Sequence, residues 1–199
     1  MNFYNTIEQE GSAEFKDRGS KFIGYVFPFT KADGLKAIIQ KLKKEHIKAV
    51  HFCFAYRIGT DGNNFRSSDD GEPSGSAGKP ILGQIDSKGI TDVLVVVVRY
   101  FGGTLLGVPG LIHAYKTTSS LVLQMVPSVQ KAVLEKYSIQ FNYTDINDVI
   151  TILKQFNCVI IRQENQLFSS IEAGIPLERK DEVLYRLAQL PNVDLLHLL

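Results

Sequence analysis

The chain has 199 residues, 44% hydrophobic and 22% charged, enough apolar material for a core in one large domain or two small ones, which excludes intrinsic disorder. Its 22 Lys and Arg nearly cancel 21 Asp and Glu, so composition excludes a strongly basic nucleic-acid binder. No apolar run reaches the ~20 residues of a membrane helix, the polar N-terminus has no targeting character, and two cysteines are too few for a disulfide scaffold or structural zinc, so a cytoplasmic protein without membrane partners is expected.

Lys21 to Phe29 alternates aromatic and apolar residues and predicts the first strand. Leu35, Ile38, Ile39 and Leu42 then recur at helical spacing, with Lys36, Lys41, Lys43 and Lys44 mostly on the other side. Val50 to Ile58 reads as a strand closed by the turn GTDGNN. A long polar loop follows, with Pro80 expected at the first position of a helix through Ile81 and Leu82. The run TDVLVVVVRYF is β-branched without interruption and predicts a strand buried on both faces. Glycines and a proline precede a long helix from Ile112 to about Met125, stopped by Pro127.

A second pattern begins near residue 131. Lys131 to Tyr143 predicts a strand, and Asp145 to Phe156 a helix with Asp145 as its N-cap. Cys158 to Glu164 and Leu167 to Ile175 are strands joined at Asn165 and Gln166, Leu177 to Leu190 is helical, and Asn192 to Leu199 closes the series. The order β-α-β-β-α-β is that of the split βαβ, ferredoxin-like unit. The expected fold is α+β with two domains, residues 1–130 and 131–199, and no long linker. The positive excess falls in the first of them.

Two stretches could carry chemistry. In SSDDGEPSGSAGKP, the acids Asp69, Asp70 and Glu72 precede Ser74, Gly75, Ser76, Gly78 and Lys79 just before a helix. Glycines, hydroxyls and a lysine at a helix N-terminus can cradle an anion, and the acids could hold a magnesium ion or act as turn-making caps. It is not a P-loop, because Gly78-Lys79 is followed by Pro80 and position 73 is Pro73. Ser76 and Lys79 match S-x-x-K, but the partner motifs of acyl-transfer enzymes are missing. In RYFGGTLLGVPGLIHAY, Arg99 could bind a phosphate or carboxylate, or pair with Asp69, Asp70 or Glu72. Tyr100 or Phe101 could stack on a base, although Phe101 reads rather as core, Gly102 and Gly103 permit close backbone approach, and His113 with Lys116 makes a polar helix face. By the rule for open α/β sheets, the carboxyl end of this strand, beside a helix N-terminus, is where a ligand is expected. The two stretches are expected to pack together with Arg99 at the floor of one concave site. His51 and Cys53 share a strand face and read as core, and His46 and His197 suggest no metal site.

DDGEPSGSAGKPIL followed by VVVVRYFGGTLLGVPGLIHAY resembles the signature of the Impact/YigZ family. The characteristic positions here are Asp70, Gly71, Glu72, Pro73, Gly75, Ala77, Gly78, Arg99, Gly102, Gly103, Gly107, Gly110, Leu111, Ala114 and Tyr115. The resemblance implies an N-terminal α/β domain like ribosomal protein S5 domain 2 and a C-terminal ferredoxin-like domain similar to one in elongation factor G. It implies an association with translational control, and in bacterial members a suspected binding of nucleic acid. Many members have Gly where this chain has Pro109, and Arg where it has His113, which removes a fixed positive charge from the expected binding face.

The leading expectation is a non-enzymatic, translation-associated protein that binds RNA or a ribosome-linked partner, with no cofactor and no metal. An enzyme acting on a phosphorylated or carboxylated small molecule, with Asp70 or Glu72 as base or metal ligand, is the alternative from another class. A pure protein-interaction module is the third.

Overall fold

The computed structural model describes residues 2–164 and 168–198. Its contacts divide the chain into two compact units, Tyr4–Lys131 and Ala132–Leu199 with Met1–Phe3. The fold is α+β. The first unit contains β1 (Phe3–Thr6), β2 (Gly11–Asp17), β3 (Ser20–Pro28), α1 (Leu35–Glu45), β4 (His51–Ile58) and β5 (Asn64–Ser68). It continues with α2 (Gly78–Lys88), β6 (Val93–Tyr100), α3 (Gly107–Gln124) and β7 (Val129–Ala132), and β1 pairs with β7.

Its main sheet has the order β2-β3-β6-β4-β5, and every pairing is antiparallel. β6 is central. Because side chains alternate along a strand, Val93, Val95 and Val97 enter one core with Ile81 and Ile85 of α2 and Leu111, Ala114 and Tyr115 of α3. Leu94, Val96 and Val98 enter another with Leu42 of α1 and Phe52 and Phe54 of β4. Helices on both faces explain why the run is apolar without alternation, as a buried strand requires. The open parallel-sheet rule used to place the site therefore does not apply.

The structure departs from the sequence reading at four points. β2 and β5 form the sheet's edges, where no strand was read. Pro80 is the third residue of α2, not its first, and α3 begins at Gly107, so Pro109 and Gly110 lie inside its first turn. A proline is tolerated there because the first four N–H groups of a helix have no intrahelical acceptor. Val133 also divides the stretch read as one strand into β7 and β8 (Leu134–Asn142).

The second unit runs β8, α4 (Ile146–Gln155), β9 (Val159–Glu164), β10 (Phe168–Pro176), α5 (Lys180–Ala188) and β11 (Asp194–Leu198). Its antiparallel sheet has the order β11-β8-β10-β9, the split βαβ arrangement. Ile139, Ile171 and Ile175 pack against Val149 and Leu153 of α4 and Val183 and Leu187 of α5. Asp145 occupies the N-cap position of α4, but its side chain makes no capping bond. The link at Asn165 and Gln166 lies outside the described residues. Among the described residues, no helix is long and apolar enough to cross a membrane.

Candidate functional site

The loop after β5 is organised by Asp69. Its Oδ1 accepts the N–H groups of Ala77 (3.0 Å) and Gly78 (2.8 Å), and its Oδ2 accepts that of Gly75 (2.9 Å). Ala77 is the N-cap of α2, so a carboxylate eight residues upstream caps the helix. Burial pushes this carboxyl upward, but the three backbone donors, with Lys79 nearby, outweigh it and hold the proton affinity below the ordinary range. The amides expected to face an external anion are bound by the chain's own Asp69. Gly78 must be glycine, because a Cβ there would stand 2.8 Å from the Ser68 nitrogen. Ser76 is buried and donates to the Pro73 carbonyl (2.6 Å), whereas Ser74 and Lys79 are exposed.

Asp70 is bound to the neighbouring strand. Its Oδ2 accepts the Phe52 N–H (2.7 Å), and its carbonyl accepts a hydrogen bond from His51 Nδ1 (2.8 Å). Glu72 turns inward. One oxygen, Oε1, accepts both Arg99 Nη1 (2.6 Å) and the Tyr115 hydroxyl (2.7 Å), with His51 Nε2 at 3.9 Å. Arg99 is only 5% exposed, and Glu72 is 8% exposed. The guanidinium lies over the rings of Phe22 and Phe101, and its Nε has no hydrogen-bond partner among the described residues. Sequence complementarity left Arg99 between an external anion and an internal acid. The structure pairs it with Glu72.

Cys53 Sγ lies 2.9 Å from the Asp69 carbonyl oxygen and 3.3 Å from the Tyr115 hydroxyl. Burial pushes its thiol up, and the acids around it add to that, so it stays protonated. Burial also raises the Tyr115 hydroxyl, with Cys53 and Glu72 contributing. This is a core thiol, as expected, while its strand neighbour His51 opens toward solvent space. Among the described residues, no cluster of three His, Cys, Asp or Glu could hold a metal ion.

Above the pair lies a cavity of about 440 Å³. Glu72 and Pro73 come from the loop, Arg99 and Phe101 from the end of β6, Leu105 to Val108 and Leu111 from the turn and α3, and Val50 and His51 from the start of β4. The two motifs therefore share one concavity with Arg99 in its wall. Phe101, expected in the core, instead lines the cavity and is half exposed. Tyr100 is not part of it. One residue along β6, it points to the other face, where its hydroxyl meets His46 Nδ1 at 2.8 Å. Gly102 packs on the backbone of Gly19, where a Cβ would stand 1.9 Å from the Gly19 carbonyl carbon, and Gly103 turns with φ of 84°. His113 and Lys116 line a separate groove with Gln84 and Thr117. Sequence reasoning read His51 as core, named Tyr115 only as a position of the family pattern, and missed Val50, Leu105 and Val108. The two leucines in an otherwise glycine-rich turn were the available signal.

A profile of the Impact N-terminal domain matches residues 18–123. The IMPACT family member YigZ of Escherichia coli (strain K12) is 33% identical over 171 residues, 85% of this chain and 84% of that protein. The chain belongs to the Impact family. A Saccharomyces cerevisiae relative, Protein IMPACT homolog, is 34% identical over 113 residues, 54% of this chain and 43% of its own length. The crystal structure of a hypothetical protein, 30% identical, superposes with a TM-score of 0.79 over 100% of this chain and 98% of that one.

Proposed function

We propose that this Impact family chain is a non-catalytic, translation-associated protein that engages a ribosome-linked protein partner through the cavity face of its first unit. One observation carries the reading. The charged groups that chemistry would need are already engaged within the protein, Asp69 by the α2 amides, Asp70 by Phe52 and Glu72 by Arg99 and Tyr115. What remains on the rim is apolar: Val50, Phe101, Leu105 and Val108 are 45% to 82% exposed. Such surfaces mark protein interaction sites. The link to translation comes from the family resemblance.

Sedimentation of lysate ribosomes, with and without nuclease, tests this. The chain is expected to travel with ribosomal particles and to keep a protein contact after nuclease treatment. Its absence from every ribosomal fraction would sink the proposal.

A second reading, RNA binding, is favoured by α1, whose Lys36, Lys41, Lys43 and Lys44 are all exposed. If it holds, affinity falls steeply with salt, at about −0.7 in log–log slope per single-strand phosphate contact. Replacing Lys36 and Lys44 by Gln should then flatten the slope, while Arg99→Ala, buried against Glu72, should leave it unchanged.

A further inference from the structure

We infer that the cavity beside Arg99 is a receptor for an apolar stretch of polypeptide, one side chain entering between Leu105, Val108 and Leu111 and one backbone amide meeting the Arg99–Glu72 pair. The inference rests on the partner-binding reading above and names the chemistry of the partner. The wall pair has bonding capacity to spare. Arg99 uses Nη1 alone, and Glu72 uses Oε1 alone, in the hydrogen bonds of the described residues. Two residues of the cavity wall thus keep unused hydrogen-bonding capacity, donors on Arg99 and an acceptor on Glu72. Beside them α3 starts at Gly107 with no side chain capping its first turn.

Charge then selects the ligand class. The guanidinium and carboxylate cancel, so the pair offers a charged ligand no net counter-charge for the hydration it loses. A neutral amide matches instead, its carbonyl accepting from Arg99 and its N–H donating to Glu72. The exposed apolar rim extends beyond the cavity to Val50 and Phe101, so a chain that continues across the rim covers surface that an isolated small molecule leaves wet.

The chain contains no tryptophan, so a tryptophan probe is read without background from its own indoles. N-acetyl-tryptophanamide carries one large apolar side chain flanked by amides. Titrated into the full chain and followed by its fluorescence, it should bind, and more tightly than indole-3-acetate or tryptamine. Leu105 is 82% exposed, so Leu105→Asp should leave the melting temperature unchanged while weakening the probe about tenfold or more. Stronger binding of the anion or the cation, no binding of the amide, or indifference to Leu105→Asp would overturn the inference. Ribosome association that persists when the probe fails refutes the peptide chemistry alone. Probe binding without ribosome association refutes the translation reading.

Discussion

The two faces of β6 carry polar groups at the same end of the strand and treat them in opposite ways. On the α2–α3 face, Arg99 and Glu72 are a charged pair removed from water and tied to Tyr115. On the α1 face, Tyr100 belongs to a relay of two hydroxyls and an imidazole, with His46 held between the hydroxyls of Tyr25 (2.7 Å) and Tyr100 (2.8 Å), all three half-buried. A charge that cannot reach water must have a partner in fixed geometry, while such a relay at the sheet margin can exchange its bonds for hydration. The first face is therefore rigidly specified and the second is tolerant.

The sharpest way to break this contrast is Glu72→Ala. It strands a buried guanidinium and should lower stability by about 3–5 kcal/mol, read from urea unfolding. Replacing both partners, Glu72→Leu with Arg99→Met, should recover much of the loss, since no uncompensated charge remains. A cost for Glu72→Ala below about 1 kcal/mol would mean that Arg99 reaches water.

The same face predicts alkaline sensitivity. Cys53 and Tyr115 have folded proton affinities raised, first by burial. A raised group contributes stability that is complete below its unfolded value and lost as pH rises. Stability should therefore fall from about pH 8.5, where an unfolded cysteine ionises, by up to ~1.4 kcal/mol per pH unit. Cys53→Ala should remove its share of the first part of that slope, leaving that of Cys158, whose thiol burial also raises. A flat profile to pH 10 in the parent chain would contradict the burial of this thiol.

Asp69 sharpens the comparison, because it is an acid satisfied by backbone amides and not by a cation. Asp69→Ala should cost about 1–2 kcal/mol through loss of the α2 cap, and Asp69→Asn less. Its folded affinity is lowered, so its contribution is present above about pH 3.9 and disappears as pH falls through the folded value. Acid titration of the parent against Asp69→Asn reads that difference. Identical profiles would remove the assigned cap.

How much of this could be read in advance follows the same physics. β6 and β4 were legible as unbroken apolar runs, α1 as an apolar stripe at helical spacing, and the β-α-β-β-α-β order from the succession of strand-like and helix-like segments. β5 was not, since all but one of its residues are exposed at a sheet edge, and β2 alternates only between half-buried and exposed positions. The start of α3 was masked by glycines and Pro109, which are helix-compatible in a first turn. At the site, the Arg99–Glu72 pairing was visible as one of several chemical complements. Asp69 reaching eight and nine residues forward to Ala77 and Gly78, and the cavity walls at Leu105 and Val108, depend on how the loop closes and have no local signature.

The smallest expected effect tests the tolerant face. Tyr100→Phe removes one hydroxyl from His46 but keeps the ring, and with it the Lys21 ammonium 4.7 Å from the ring centroid. Water can take the freed His46 Nδ1, so the loss should be about 0.5–1.5 kcal/mol, the net value of one hydrogen bond. Tyr25→Phe should cost about the same on Nε2. The two are not independent. A neutral imidazole donates from one nitrogen and accepts at the other, so losing one hydroxyl frees the tautomer to suit the remaining one. The double variant should therefore show measurable coupling, on the order of 0.5 kcal/mol. Strict additivity would mean that the relay does not act as a unit, and a single-variant loss near that of Glu72→Ala would erase the distinction between the faces.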